Sequence, residues 1–346
     1  MKKCILHLGF HKTGSTTFQQ TCGASREILN QNGFFYPKFS YPAEKGNLWN
    51  HSGPLKMIYK RGHAEIPSKS IQKRERGKIL LTNQTRLLKA LKSDQDLLLS
   101  GEGLSCFSKL ELERFIADLK SYGFAVEAFA LVRPPYSFCC SAIQETFKSG
   151  SFNPLIGLAQ HRAPSIVRHT SLKNRNRQIK TLQQVLGQQI NFYPFSKAIA
   201  HPHGVVGFCL DCIGIKIKPE TMIDPARIHN TSLSNIQARV INQINQIVAE
   251  DPNGKHCGKL QHRLIQQATA QLDSNPFRLT KEEFGLVEAE YNQVKTELAT
   301  LLDDTFIEET LTFSSSEIDQ TAVIQGLAQT AAVLAIQSRR DESSQT

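Results

Sequence analysis

The chain has 346 residues, of which 40% are hydrophobic and 21% are charged. At about 100–200 residues per domain, this length allows one large α/β domain or two ordinary ones, with a core that needs no metal or disulfide staples. The composition excludes collagen-like, coiled-coil and disordered chains.

The net charge of +10 is unevenly distributed along the chain. Residues 56–92 hold eleven Lys and Arg against two acidic residues, and residues 147–210 hold eight against none. Residues 273–346 instead hold fourteen acidic residues against five basic ones. A basic body of this kind attracts anions, whether nucleic acid, anionic lipid, acidic glycan or a phosphorylated nucleotide.

The eight cysteines are scattered without the spacing of a disulfide framework, which indicates free thiols in a reducing compartment. The apolar stretch at residues 4–8 is too short for a signal peptide, and no run approaches the ~20 apolar residues of a membrane span. The sequence therefore predicts a cytoplasmic protein that meets membranes only peripherally. Its oligomeric state is left open.

Short apolar runs alternate with longer amphipathic stretches, the pattern of a parallel sheet built from βαβ units. The predicted strands are residues 4–9, 97–100, 125–132 and 190–193. The predicted helices are residues 16–31, 84–92, 109–122, 136–148 and 175–186, followed by 232–250, 260–272 and 281–302. This order predicts an α/β fold of three layers, in which a central, mostly parallel sheet is flanked by helices and followed by a helical C-terminal part.

Two further stretches complete the predicted domain organisation. Residues 34–78 are rich in Gly, Pro, Asn and Lys and have little periodicity, so they are expected to form a long loop of the kind often used for binding. The α/β domain is expected to cover residues 1–313, and residues 314–346 to form a C-terminal helix and a polar tail.

The first predicted strand breaks into the turn GFHKTGSTT at residues 9–17, where a helix restarts. The start of a helix binds anions because its backbone N–H groups and the positive end of its dipole converge there. Gly9 and Gly14 allow a close backbone approach. Further donors come from the hydroxyls of Thr13, Ser15, Thr16 and Thr17. Phosphate or sulfate is the expected guest.

The same turn departs from the nucleotide-triphosphate loop G-x-x-x-x-G-K-[ST]. Gly9 and Gly14 have the required separation, but Ser15 stands where the pattern has Lys, and the lysine is Lys12 inside the loop. This favours a relative of the kinase loop over a kinase. The alternative is an ordinary glycine-containing turn with an incidental lysine.

A second strand end also suggests an anion site. Arg133 follows the strand at residues 125–132 and can fork onto a phosphate, while Ser141, near the start of the next helix, adds a hydroxyl. This pair suits a second phosphate of the same nucleotide. Alternatively, Arg133 pairs with a surface carboxylate.

The loop at residues 9–17, followed by Arg133 and eight residues later by Ser141, resembles sulfotransferases that use 3'-phosphoadenosine-5'-phosphosulfate (PAPS). The resemblance is to bacterial and Golgi-type members with an H-K-T-G-[ST]-[ST] core, and it spans residues 4 to about 195. It implies a P-loop-like fold. The late Gly and Lys motif of cytosolic small-molecule sulfotransferases is not found.

The resemblance implies transfer of a sulfuryl group from PAPS to a hydroxyl or amine, which leaves adenosine 3',5'-bisphosphate. The acceptor would be a small molecule, a saccharide or a lipid headgroup, with no nucleic-acid partner and no metal. Lys12 and the amides of residues 13–17 would stabilise charge on the leaving oxygen. The implied nucleotide ligands are His11, Lys12, Thr13, Gly14, Ser15, Thr16, Thr17, Arg133 and Ser141.

An acceptor hydroxyl needs a general base, for which the sequence has two candidates. Glu102 follows the strand at residues 97–100, and His51 lies in the loop region 34–78, which would cover the acceptor. Glu102 also fits a helix-start carboxylate, and His51 a solvated loop residue. The basic run at residues 173–177 fits a site for an anionic acceptor or the 3'-phosphate, or a solvated helix face.

Two other functions stay open. A P-loop nucleotide kinase would share the fold, but it requires a lysine after Gly14 and an acidic metal ligand. A non-catalytic protein that binds an acidic ligand explains the basic body of the chain, but not a lysine inside the loop.

Overall fold

The structure is a computed structural model. It describes residues 2–41, 49–59, 73–157, 172–215, 221–222, 232–250, 265, 267–269, 272, 274–315 and 319–343. Within these residues, no helix combines the length and the apolar character needed to cross a membrane.

A single parallel sheet of five strands is the centre of the fold. The strands are β1 (Lys2–His7), β2 (Phe34–Phe35), β3 (Asp96–Ser100), β4 (Phe124–Val132) and β5 (Ile190–Pro194), in the spatial order β2-β3-β1-β4-β5. All four pairings are parallel. The four predicted strands are confirmed. The fifth, β2, lies at an edge of the sheet and has only two residues, too few to show a hydrophobic period.

Helices cover both faces of this sheet because side chains alternate along each strand. Leu6, Leu99 and Val126 belong to the core on one face, and Ile5 and Leu98 to the core on the other. The helices of this part of the chain are α1 (Ser15–Ala24), α2 (Arg26–Gln31), α3 (Ser52–Tyr59), α4 (Lys73–Leu91) and α5 (Lys109–Ser121), and later α7 (Leu172–Leu186), α8 (Phe195–Ala200) and α9 (Gly204–Ile213). The predicted three-layer α/β fold is confirmed.

The strand order reverses at β1, which lies between β3 and β4. In open parallel sheets, ligands bind beyond the carboxyl ends of the strands at such a switch point. The segments that leave this edge are the turn after β1, the 3-10 helix Glu102–Cys106 after β3, Arg133 after β4 and Phe195 after β5. The topology therefore brings most of the predicted site residues to one edge.

The chain divides into two compact units. The first contains Met1–Pro134, Lys173–His229 and Leu298–Ile307 and holds the whole sheet. The second contains Pro135–Leu172, Asn230–Glu297 and Glu308–Thr346. The helices of the second unit are α6 (Pro135–Lys148), α10 (Asn235–Glu250), α11 (Lys281–Gly285), α13 (Gln320–Ser343) and most of α12 (Glu288–Leu301). The predicted helical C-terminal part is confirmed, and the predicted domain boundary between residues 313 and 314 stays a prediction.

A buried ion pair organises the second unit. Arg239 on α10 donates to both carboxylate oxygens of Glu283, at 2.6 and 2.9 Å, and both side chains are almost fully buried. Glu283 also closes a capping box with Thr280 at the start of α11. Removing one partner would leave a buried charge, which typically costs about 3–5 kcal/mol.

Several predicted element bounds are corrected by the structure. The helix predicted at residues 16–31 breaks at Ser25 into α1 and α2, and the one predicted at 281–302 divides into α11 and α12. The loop predicted at residues 34–78 contains β2, α3 and the start of α4. Its residues 42–48 and 60–72 lie outside the described residues, as does most of the helix predicted at 260–272.

Candidate functional site

The turn between β1 and α1 has an unusual backbone conformation. Gly14 lies in the left-handed region at φ 76°, and Lys12 lies there at φ 67°. Lys12 is the only non-glycine residue with a positive φ in the described parts of the chain. A side chain in this region typically costs about 1–3 kcal/mol, and such outliers cluster at functional sites. The hydroxyl of Thr13 stabilises the turn by donating to the carbonyl of Phe10 at 2.7 Å.

The start of α1 has no side-chain cap among the described residues. Its N-cap is Gly14, which has no side chain, and no described side chain caps the helix. The turn closes tightly, because a Cβ on Gly9 would lie 2.4 Å from Oγ of Ser15. Thr16 and Thr17 are half-buried in the first turn of α1, whereas the buried Thr13 hydroxyl is used inside the turn. The predicted strand, turn and helix are present at this place, and the binding of an anion by the turn stays a prediction.

Arg133 contacts this turn directly. Its Nη1 donates to the carbonyl of Lys12 at 3.1 Å, and its guanidinium lies over the ring of Phe195, 5.1 Å from the centroid. Phe195 is buried in the first unit, so its ring serves as a platform for Arg133. The structure thus brings Arg133 and Lys12 together, as the sequence predicted.

One member of the basic run at residues 173–177, Arg175, contacts the backbone of Arg133. Arg175 is almost fully buried, and its Nη1 donates to the carbonyl of Arg133. Arg177 is exposed and donates to Asn174 at 3.0 Å on the same helix. The run therefore has one buried residue beside the candidate site and one exposed residue on a solvated helix face, and its role as an anion site stays a prediction.

Ser141 lies in α6, within the second unit, and its side chain is half-buried. The first turn of α6 is already capped by a carboxylate: the backbone N–H groups of Tyr136 and Ser137 donate to Glu309 at 2.7 and 2.8 Å. This helix start differs from that of α1 in carrying a negative side chain. The role of Ser141 as a phosphate ligand stays a prediction.

Glu102 lies beside the anion loop at the start of the 3-10 helix that follows β3. Its Oε2 is 3.2 Å from Nδ1 of His11, and its side chain is 21% exposed. Hydrogen bonds with Cys106 and Glu102 raise the pKa of His11 to about 9 against the opposing effect of burial. His11 is therefore an imidazolium at neutral pH, adjacent in the chain to Lys12.

The structure corrects the expected environment of His51. Its side chain is fully buried, not part of a covering loop. Its Nδ1 accepts from the backbone N–H of Ser100 at 3.1 Å, and its Nε2 donates to the carbonyl of Pro37 at 3.0 Å. Burial lowers the pKa of His51 to about 3. Because both ring nitrogens are engaged inside the protein, this geometry favours a structural histidine over a general base.

A second buried histidine, His7, ends β1 immediately before the anion loop. Its Nδ1 is 2.8 Å from Oγ of Ser100, and its ring packs against Phe18 and Phe129. Burial lowers the pKa of His7 to about 3. His7 and His51 thus both pack around Ser100 at the carboxyl edge of the sheet.

Two side chains at this edge had no recognisable signal in the sequence. Lys56 on α3 lies over Gly103, since a Cβ on that glycine would be 2.8 Å from Nζ of Lys56. Ser105 donates to the carbonyls of Glu102 at 2.7 Å and Gly9 at 3.3 Å, which ties the 3-10 helix to the anion loop. Lys56 was missed because α3 lies inside a stretch that lacks a helical pattern.

Comparisons with known proteins give distant structural similarity only. No protein-family model and no curated protein matches the sequence. The chain is similar to a solved sulfotransferase from Alicyclobacillus acidocaldarius, with 15% identity and a TM-score of 0.37 over 65% of this chain and 88% of the other. It is also similar to the sulfotransferase domain from the curacin biosynthetic pathway, with 14% identity and a TM-score of 0.36 over 84% of this chain and 98% of the other. Similarity this distant does not assign a family.

Proposed function

We propose that this protein is a sulfotransferase that moves a sulfuryl group from PAPS to a hydroxyl or amine of an acceptor. The observation that carries the proposal is the position of Lys12, held at φ 67° inside the turn with its carbonyl bonded to Arg133. Three groups of the kind that bind anions, the α1 start, Lys12 and Arg133, thereby lie at one edge of the sheet and support the proposal. A donor with two separate phosphate groups matches this arrangement.

In the proposed reaction, the acceptor oxygen attacks the sulfur of PAPS while the bond from sulfur to the bridging phosphate oxygen breaks. Lys12 and the first amides of α1 stabilise the negative charge that grows on the leaving oxygen. Glu102, which is partly exposed and oriented by His11, takes the proton of the acceptor. Adenosine 3',5'-bisphosphate is the remaining product. As part of the same proposal, the acceptor is a phenol, a saccharide or a lipid headgroup.

Thermal unfolding in the presence of nucleotides tests which nucleotide the protein binds as its donor. Adenosine 3',5'-bisphosphate at about a hundredfold excess over its Kd should stabilise the native state by about 2.7 kcal/mol and raise the Tm measurably. ADP with Mg²⁺ should have a smaller effect, because ADP lacks the 3'-phosphate. The reverse order would favour the nucleotide kinase. No response to either nucleotide would favour the non-catalytic binding protein.

The role of Glu102 is tested by Glu102→Gln, which keeps the size of the side chain and its contact with His11. Loss of a general base should lower kcat about a hundredfold or more while the Kd for adenosine 3',5'-bisphosphate changes little. Turnover of labelled PAPS with a panel of phenols, amines and saccharides measures the effect. The matched control is Glu113→Gln on the exposed face of α5, which should leave turnover unchanged. Equal turnover in both variants would remove Glu102 from the mechanism.

A further inference from the structure

Cys106 ends the 3-10 helix after β3 and is exposed. Of the cysteines that the structure describes, it alone is exposed: five others are buried and Cys212 is half-buried. Its position places an accessible sulfur at the edge of the sheet where Glu102 and His11 lie. The proposed sulfuryl transfer uses no thiol, so this side chain has no role in that reaction.

The groups around the sulfur are hydrogen-bond donors and cations. His11 forms a hydrogen bond with the thiol, and Nε2 of Gln178 donates to Sγ at 3.2 Å. The hydroxyl of Ser105 lies 3.9 Å away, and Lys56 contributes a positive charge from α3. Such surroundings favour a thiolate over a thiol.

His11 links this sulfur to a carboxylate. Its Nδ1 faces Glu102 at 3.2 Å while the ring also bonds Cys106. A nucleophile, an imidazole and an orienting carboxylate in series form the arrangement that activates cysteine in enzymes. Burial opposes ionisation of Cys106, but the bonds and charges of His11, Lys56 and Ser105 outweigh it and lower the pKa of the thiol. Together with the raised pKa of His11, this direction favours a thiolate beside an imidazolium.

We propose that Cys106 is a site of oxidation by hydrogen peroxide. The thiolate sulfur attacks one peroxide oxygen and the O–O bond breaks. The departing hydroxide takes the proton of the His11 imidazolium and leaves as water. Sulfur loses two electrons and becomes a sulfenic acid, hydrogen peroxide is reduced, and His11 becomes neutral. The inference goes beyond the proposed transfer reaction and does not depend on it.

The test is the rate of sulfenic acid formation in the full chain, trapped with dimedone and located by mass spectrometry. A Cys257→Ser background removes the cysteine that lies outside the described residues. At pH 7, Cys106 should react at least tenfold faster than the same thiol in the urea-unfolded chain, because an ordinary thiol is only a few per cent ionised. A rate no faster than in urea would overturn the proposal.

Two variants show whether the Cys106 thiol is activated by His11 or is merely exposed to solvent. Cys106→Ser should abolish the label. His11→Asn should slow labelling about tenfold at pH 7, and raising the pH to about 9.5 should restore the rate, since the thiol then ionises without the imidazolium. Far-UV circular dichroism must show the native fold in each variant, because the thiol of an unfolded chain also ionises at this pH. An unchanged rate in His11→Asn at pH 7 would show that Cys106 is an ordinary surface thiol.

Discussion

Lys12→Met is expected to lower the turnover of PAPS about a hundredfold to a thousandfold, the usual effect of removing one group that stabilises a developing oxyanion. Methionine keeps the length of the side chain and the left-handed backbone of the turn, so the variant removes the ammonium group alone. The contact between Arg133 and the carbonyl at position 12 does not involve the side chain and should persist. The measurement is kcat with labelled PAPS, together with the Kd for adenosine 3',5'-bisphosphate.

The matched control for this variant is Lys120→Met, on the exposed face of α5. It carries the same change in charge and hydrophobicity, away from the anion loop. Undiminished turnover in Lys12→Met would contradict the proposed function. So would a native protein that fails to bind the bisphosphate, because the α1 start and Arg133 would then hold no phosphate.

Acid is expected to destabilise the protein strongly between about pH 6.5 and pH 3, because His7 and His51 must stay neutral in the fold. Both pKa values are lowered from 6.5 to about 3, so the unfolded chain binds two more protons than the native state in this window. Stability is full above pH 6.5 and is lost as the pH falls towards 3. Each histidine contributes a slope of about 1.4 kcal/mol per pH unit, or about 4–5 kcal/mol for the pair between pH 6 and pH 4. His11, whose pKa is raised, is protonated in both states there and adds no slope.

Urea unfolding at pH 6, 5 and 4 measures this loss. His51→Gln should remove about half of the slope. NMR titration provides a second readout that needs no variant: the ring signals of His7 and His51 should not shift above about pH 4 in the native protein. Signals that titrate near pH 6.5 would contradict the buried, neutral state of these rings.

The fold could be predicted from the sequence because the inner strands, such as β3 and β4, are largely buried on both faces. Such strands are continuous apolar runs, and the elements between them carry a clear helical period, as in α5. Positions of low periodicity were harder to predict. Strand β2 has two residues, and α3 begins within a Gly- and Pro-containing stretch, so both were assigned to a loop.

The place of three candidate site residues in the fold could be predicted, because it follows from the order of residues along the chain. Lys12, Arg133 and Glu102 each follow a strand of the same sheet, and parallel strands bring their carboxyl ends to one edge. Lys56 could not be predicted, because its place over Gly103 depends on how α3 packs. The environment of His51 could not be predicted either, since its burial depends on contacts with Pro37 and Ser100.

At Lys12, the left-handed backbone conformation lowers the stability of the fold, while the side chain supplies the ammonium group of the proposed reaction. A glycine there would adopt φ 67° without steric penalty, so the turn would relax and the fold would gain up to about 1 kcal/mol. It would also discard the ammonium group on which the proposed sulfuryl transfer depends. Replacing left-handed residues with glycine to gain heat resistance would therefore raise stability at the expense of the proposed activity, and position 12 should be exempt from such a design.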